Sequence, residues 1–153
     1  HEQLGWNLRM SNIQAALGLA QLERLDEFIN KKRWIGNLYN KLLSDLTTIQ
    51  LPLRKTEYAE NIYWVYGILL KDNNGLDAEE IIKIFSKNEV GCRPFFYPMH
   101  LQPVFKKIGL FNNEKYPVAE NLAKKGLYLP SGLALTEIQI HRVCNILHKI
   151  LKK

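Results

Sequence analysis

Residues 62–71 read Ile-Tyr-Trp-Val-Tyr-Gly-Ile-Leu-Leu-Lys and are closed by Asp72-Asn73-Asn74-Gly75. Aromatic and β-branched side chains suit a pleated surface, and a run that is apolar at odd and even positions alike is covered on both faces. The stretch is therefore expected as the central strand of a sheet. A strand of that kind cannot stand alone, so the rest of the chain has to supply its neighbours and its cover.

Much of the cover reads as helix. From Ser11 to about Asp45, Leu22, Leu25, Ile29, Ile35, Leu38, Tyr39, Leu42 and Leu46 recur at three- and four-residue spacing, which predicts one long helix or two with a bend. Gly36 costs up to ~1 kcal/mol of helix propensity relative to Ala, which puts the expected bend near residues 34–37. The first turns carry the small residues Ala15, Ala16, Gly18 and Ala20. They admit either a packed partner surface or a close contact within the domain. Three helix starts announce themselves by a capping box: Ser11 with Gln14, Asp77 with Glu80, and Thr136 with Gln139. Pro117 suits the first turn of a further helix, which Gly126 ends. Asn88 is expected to close the second helix in the left-handed conformation, before Val90 and Cys92 alternate into a strand reaching Arg93-Pro94. Residues 127–130, Leu-Tyr-Leu-Pro, make a third short strand.

Composition narrows the function classes. With 153 residues, 46% hydrophobic and 24% charged, the chain suits one globular domain. No apolar run approaches the ~20 residues that span a bilayer, and no signal-peptide pattern opens the chain. A cytoplasmic protein without a membrane partner is expected. Cys92 and Cys144 lie in separate apolar patterns, as buried free thiols do in a reducing compartment. The net charge of +6 comes from scattered lysines without an accompanying aromatic-plus-basic motif, so no nucleic-acid partner is expected. His141, Cys144 and His148 share one side of the last helix. A lone helix supplies no fourth ligand, and they are read as amphipathic surface, with no metal site. The chain opens on His1 rather than Met, close to an informative motif, and a fragment of something longer is expected.

Two segments carry site-like chemistry. The lead-in Leu4-Gly5-Trp6-Asn7-Leu8-Arg9-Met10-Ser11 places Asn7 and Arg9 just ahead of a helix N-terminus, where anions are favoured. The segment Gly91-Cys92-Arg93-Pro94-Phe95-Phe96-Tyr97-Pro98-Met99-His100-Leu101-Gln102-Pro103 has three prolines in ten residues. These forbid a long helix or a central strand and leave a stiff loop that presents Arg93, Tyr97 and His100. The same residues also allow a structural reading, with Phe95, Phe96 and Met99 plugging a core edge and His100 on the surface.

The run from Gly5 to Asp26 resembles, without a gap, the segment that opens the C-terminal half of the pyridoxal-phosphate (PLP) sugar aminotransferases of the DegT/DnrJ/EryC1/StrS family. Arg-Pro-Phe-Phe-Tyr-Pro-Met-His-Leu-Gln-Pro resembles the family's loop into the active-site cleft, notably in perosamine-synthase-like members. Gly-Leu-Tyr-Leu-Pro-Ser-Gly-Leu-Ala-Leu-Thr-Glu resembles its strand, Pro-Ser turn and helix start. The resemblance covers essentially the whole chain.

Pattern and resemblance together give an α+β fold. A small, mostly antiparallel sheet of about three strands is covered by helices, with a long N-terminal helix, as in the C-terminal domain of a fold-type I PLP-dependent transferase. Residues 1–12 are expected as a crossover segment from a missing large domain and 13–153 as the small domain. The resemblance implies Asn7 and Arg9 at the PLP phosphate, and Arg93, Tyr97 and His100 at a nucleotide-linked keto sugar. It also implies glutamate as amino donor and a homodimer with active sites at the subunit boundary. The lysine that holds the cofactor covalently and the aspartate at its pyridine nitrogen have no counterpart here, so no lysine of this chain is assigned as catalytic and the fragment alone is expected to be inactive. Two alternatives stand beside this reading: a sugar dehydratase of the same family, and a helical interaction module without cofactor.

Overall fold

The computed structural model describes residues 2–71 and 75–152. Six α-helices follow in chain order: α1 (Asn12–Leu22), α2 (Leu25–Leu43), α3 (Ala78–Lys87), α4 (Pro103–Lys107), α5 (Pro117–Lys125) and α6 (Glu137–Leu151). Four strands, β1 (Ile49–Gln50), β2 (Tyr66–Leu70), β3 (Arg93–Pro94) and β4 (Gly126–Leu129), form one antiparallel sheet in the order β1-β2-β4-β3. The α+β class holds, with one strand more than the sequence pattern predicts. The extra one, β1, is two residues long, too short for a period of two to be seen.

Pairing explains the core. Tyr66 lies opposite Leu129 and Ile68 opposite Leu127, so one face of the sheet carries Tyr66, Ile68, Leu70, Leu127 and Leu129. Helix α2 lays Ile35, Tyr39 and Leu43 into the same core, and α6 adds Ile140, Val143, Cys144 and Leu147 at helical spacing. On β2 the alternate residues Gly67 and Leu69 are only half-buried. A Cβ on Gly67 would sit 3.0 Å from the Phe95 ring, and that ring also occupies the space a Cβ on Gly126 would need. Phe95 thus covers the second face where two glycines allow close approach, stacked on Tyr128 at 4.7 Å between centroids.

The central strand is shorter than residues 62–71. Asn61 Oδ1 accepts the Tyr63 N–H at 2.7 Å, and Tyr63 adopts the left-handed region at φ +52°, which breaks the extended conformation before Tyr66. The turn swings Tyr63 inward instead. Its ring lies against Gly36, its hydroxyl accepts from Asn40 Nδ2 at 2.9 Å, and Asn40 Oδ1 accepts from the Tyr66 hydroxyl at 2.7 Å.

Gly36 therefore does not bend the helix. Helix α2 runs through it unbroken, and the helical run is interrupted instead at Glu23-Arg24. The two helices differ in burial: α1 buries no residue, whereas α2 buries Ile35, Gly36, Tyr39 and Leu43 in its second half. Arg24 adds a fork of two 2.9 Å contacts to Glu27 in the next turn. At the end of α3 Asn88 is not left-handed either. It caps with its side chain to the Ile84 carbonyl at 2.9 Å, and Glu89 takes φ +58°. The Val90 N–H then bonds Phe85 O and the Glu89 N–H bonds Ser86 O, a Schellman ending shifted by one residue. All three expected capping boxes are present.

Candidate functional site

The lead-in to α1 has no helix or strand and is exposed throughout. Asn7 Oδ1 accepts the Arg9 N–H at 3.3 Å. That contact uses the acceptor end of the amide and leaves its NH2, together with the Arg9 guanidinium, without partners among the described residues. Both free groups are donors. The apolar residues around them are bare as well: Trp6 is 92% and Leu8 91% exposed, and Ile13, Leu17, Leu19 and Leu22 stay exposed along α1. Nothing in the described chain covers this segment. An exposed guanidinium fork and an amide NH2 next to a helix N-terminus suit phosphate oxygens, because charge assistance and the helix dipole act in the same direction.

The proline-rich loop is built onto the far edge of the sheet. Arg93 pairs with Tyr128 and Pro94 with Leu127, and the Phe95 N–H then bonds Gly126 O at 3.0 Å. Beyond this anchor Pro98 is buried and opens a 3-10 turn, Met99–Leu101, closed by Leu101 N–H to Pro98 O at 3.0 Å. The Gln102 amide reaches back to Tyr97 O at 3.4 Å. The loop holds its own shape. It leaves Arg93 exposed and Tyr97 57% exposed, while Phe96 meets Tyr128 edge-on.

His100 is turned inward. Only 5% exposed, it places Nε2 2.9 Å from Glu120 Oε1 and tilts its ring against Tyr116 at 4.8 Å. The same Glu120 oxygen accepts the Tyr116 N–H at 3.0 Å. Hydrogen bonds from His100 and then from the Tyr116 backbone hold the Glu120 carboxyl below its usual range. Glu120 also lies in the first turn of α5, where the helix dipole favours its charge. Pro117 marks that helix start in the sequence, but a pairing across twenty residues leaves no local signal.

Two further groups hold the frame and escape sequence reading. Lys32 Nζ donates to Trp64 O at 2.7 Å and to Ser131 O at 2.6 Å, and burial pushes its pKa down. The Tyr39 hydroxyl donates to Pro130 O at 2.8 Å. Helix α2 is thereby fastened to one end of the central strand pair, where β2 begins and β4 ends. On α6, His148 pairs with Asp45 at 2.9 Å, His141 faces Glu137 at 3.7 Å, and Cys144 is buried with its thiol pushed up to about 12. Among the described residues no cluster of three His, Cys, Asp or Glu could hold a metal ion, and no helix is long and apolar enough to cross a membrane. No hydrogen bond or ion pair joins the lead-in to the loop among the described residues.

The sequence profile of the DegT/DnrJ/EryC1/StrS aminotransferase family matches residues 1–148. GDP-perosamine synthase of Escherichia coli O157:H7 is 33% identical over 149 residues, 97% of this chain and 38% of that protein. GDP-perosamine synthase of Vibrio cholerae is 30% identical over 146 residues, 95% of this chain and 38% of that protein. The chain thus spans well under half the length of these relatives. Among solved structures, Helicobacter pylori PseC, an aminotransferase involved in the biosynthesis of pseudoaminic acid, superposes with a TM-score of 0.86 at 20% identity. The match covers 99% of this chain and 40% of that one. DesV of S. venezuelae, in complex with a ketimine intermediate, gives a TM-score of 0.85 at 22% identity over 100% of this chain and 40% of that one. At these identities the structural likeness establishes the fold.

Proposed function

The chain belongs to the DegT/DnrJ/EryC1/StrS aminotransferase family, and from that premise we propose that it is the C-terminal part of a PLP-dependent enzyme that moves an amino group from glutamate to a nucleotide-linked keto-deoxy sugar. Residues 13–153 are its small domain, and residues 1–12 cross over from the large domain. The observation that carries the reading is the lead-in itself, where two unpartnered donors, Asn7 and Arg9, sit on an apolar segment that nothing in the described chain covers. A solvated loop would have no reason to expose Trp6 and Leu8 beside an unpaired guanidinium.

PLP, when bound, supplies the electron sink for amino-group transfer. The chain's own residues bind and orient. Arg9 offers a charge-assisted fork to phosphate oxygens that Lys could not reproduce, Asn7 adds an amide donor, and the α1 N-terminus adds its dipole. The proline-rich loop presents Arg93 and Tyr97 to the sugar nucleotide, with His100 behind them. Its prolines reduce the entropy lost when ligand binds. The enzyme works as a homodimer, with the bare apolar face of the lead-in and α1 lying at the subunit boundary and Arg9 serving the partner's cofactor. The greater-than-30% identity to a GDP-perosamine synthase supports a GDP-linked 4-keto-6-deoxyhexose as acceptor.

The test uses the full-length protein with PLP, glutamate and a GDP-linked 4-keto-6-deoxyhexose, with the product read by mass. Replacement of the keto oxygen by an amino group, with 2-oxoglutarate formed in equal amount, is expected. Loss of a ring hydroxyl without amine formation would establish dehydration instead, and an unchanged sugar would remove this substrate class.

A further inference from the structure

The inward orientation of His100 has a chemical consequence that depends on its neighbour. Glu120 is ionised for three independent reasons: it accepts from the His100 ring, it accepts from the Tyr116 N–H, and it lies in the first turn of α5. A carboxylate only accepts hydrogen bonds, so the proton between Nε2 and Oε1 belongs to the ring. In the neutral imidazole the lone pair is then left at Nδ1. No described residue bonds Nδ1, and Nδ1 is not among the sealed polar atoms that lack a partner. The ring is otherwise fixed, with Tyr116 against it and Pro98 buried just before the 3-10 turn that carries it.

We propose that Glu120 is a positioning residue. By accepting the Nε2–H of His100 it fixes the ring as the tautomer whose Nδ1 offers a lone pair at the surface of the proline-rich loop, where it accepts a hydrogen bond from a hydroxyl of the sugar nucleotide. This rests on the reading of that loop as the substrate surface. The arrangement follows a general pattern in which one ring nitrogen of a histidine is set by the hydrogen bond that the other makes. Without Glu120 the ring could carry its proton on either nitrogen, and the Nδ1–H form would meet a hydroxyl as a donor. Glutamate, which has no ring hydroxyl, makes no use of this acceptor.

The experiment takes the full-length enzyme labelled with 15N in histidine. A long-range proton–nitrogen spectrum at pH 8 reports which ring nitrogen carries the proton, and the His100 signals are assigned by their loss in His100→Gln. The expected result is a neutral, Nε2-protonated ring in the native protein, a mixed or Nδ1-protonated ring in Glu120→Leu, and restoration in Glu120→Gln, whose amide oxygen can accept both hydrogen bonds. With a GDP-linked 4-keto-6-deoxyhexose as probe, Glu120→Leu should raise its KM about tenfold, the size of one lost hydrogen bond, while the glutamate KM stays constant and Glu120→Gln recovers. An Nδ1-protonated ring in the native protein overturns the proposal even if Glu120→Leu fails to fold. So does a tautomer indifferent to Glu120→Leu, a Gln variant that restores nothing, or an equal rise in both KM values. If the native enzyme ignores the sugar, the substrate reading fails in the first assay, and the tautomer spectra still decide the role of Glu120.

Discussion

Replacing Gly36 by alanine sets two effects of similar size against each other. In a helix interior Gly→Ala contributes about 1 kcal/mol through propensity, and at an exposed site that gain would stand alone. Here the added Cβ would enter the space of the Tyr63 ring, close to its attachment end rather than its tip. That ring has little freedom to move away. Tyr63 is buried, its hydroxyl is held by Asn40 at 2.9 Å, its N–H by Asn61 at 2.7 Å, and its backbone is already left-handed. Overpacking costs about 1–3 kcal/mol, and a tethered ring places this site in the upper half of that range. A net loss of about 1–2 kcal/mol follows, which for a chain of this size lowers Tm by roughly 2–8 °C. Thermal unfolding followed by far-UV circular dichroism measures it, with Gly18→Ala as control. Gly18 has open space around it and α1 buries nothing, so its variant should leave the main transition in place. In a Tyr63→Ala background the Gly36→Ala change should turn neutral or stabilising. An unchanged or higher Tm for Gly36→Ala in the native background would refute the packing argument.

Asp45 is held down to about 2 by hydrogen bonds from Lys152 and His148, below its ordinary 3.8. Its stabilising effect is therefore full above about pH 4 and lost as pH falls toward 2, so urea midpoints of Asp45→Asn and the native chain should differ at pH 6 and converge near pH 2. Burial pushes the thiols of Cys92 and Cys144 up to about 12, so neither should react with iodoacetamide at pH 8 until the chain is unfolded, when both should label. In the full-length enzyme, Arg9→Ala subunits mixed with subunits lacking the cofactor lysine should recover activity toward half that of a native dimer, because both defects gather in one site. No recovery would place Arg9 in its own subunit's site. Tyr97→Phe should raise the sugar KM with little change in the glutamate KM, and equal effects would return the loop to a structural role.

What the sequence shows of this fold is the chemistry of short reach. The capping boxes at Ser11, Asp77 and Thr136 and the proline at the start of α5 are each decided within about four residues, and all four lie where the pattern puts them. The errors share the opposite cause. Gly36 looks like a hinge when only helix propensity is considered, but it is the slot for a tyrosine twenty-seven residues away, as Gly126 is the slot for Phe95. Residues 62–65 have strand composition, and the Asn61 turn that bends them serves a ring that packs on another helix. At Glu23-Arg24 no Gly or Pro marks the break between α1, which buries nothing, and α2, whose buried residues begin at Ile35.

The candidate site divides along the same line. Asn7 and Arg9 are legible because their signal is the local string ahead of a capping box, and Arg93 and Tyr97 because prolines fix the loop that displays them. The orientation of His100 is not legible. Whether a histidine after Pro-Met points outward or inward depends on an acceptor waiting behind it, and Glu120 reads in sequence only as one acid among others at the start of a helix. The structure joins the two because β4 follows α5 directly and pairs with β3, which brings the start of the loop onto the strand that ends the helix. The register Arg93↔Tyr128 and the Phe95 ring over Gly67 and Gly126 fix that junction. The loop's geometry is therefore set partly by the packing of the sheet beneath it. A larger residue at Gly126 should disturb Tyr97 and His100 before it disturbs Asn7 or Arg9, which stand on a segment that the sheet does not support.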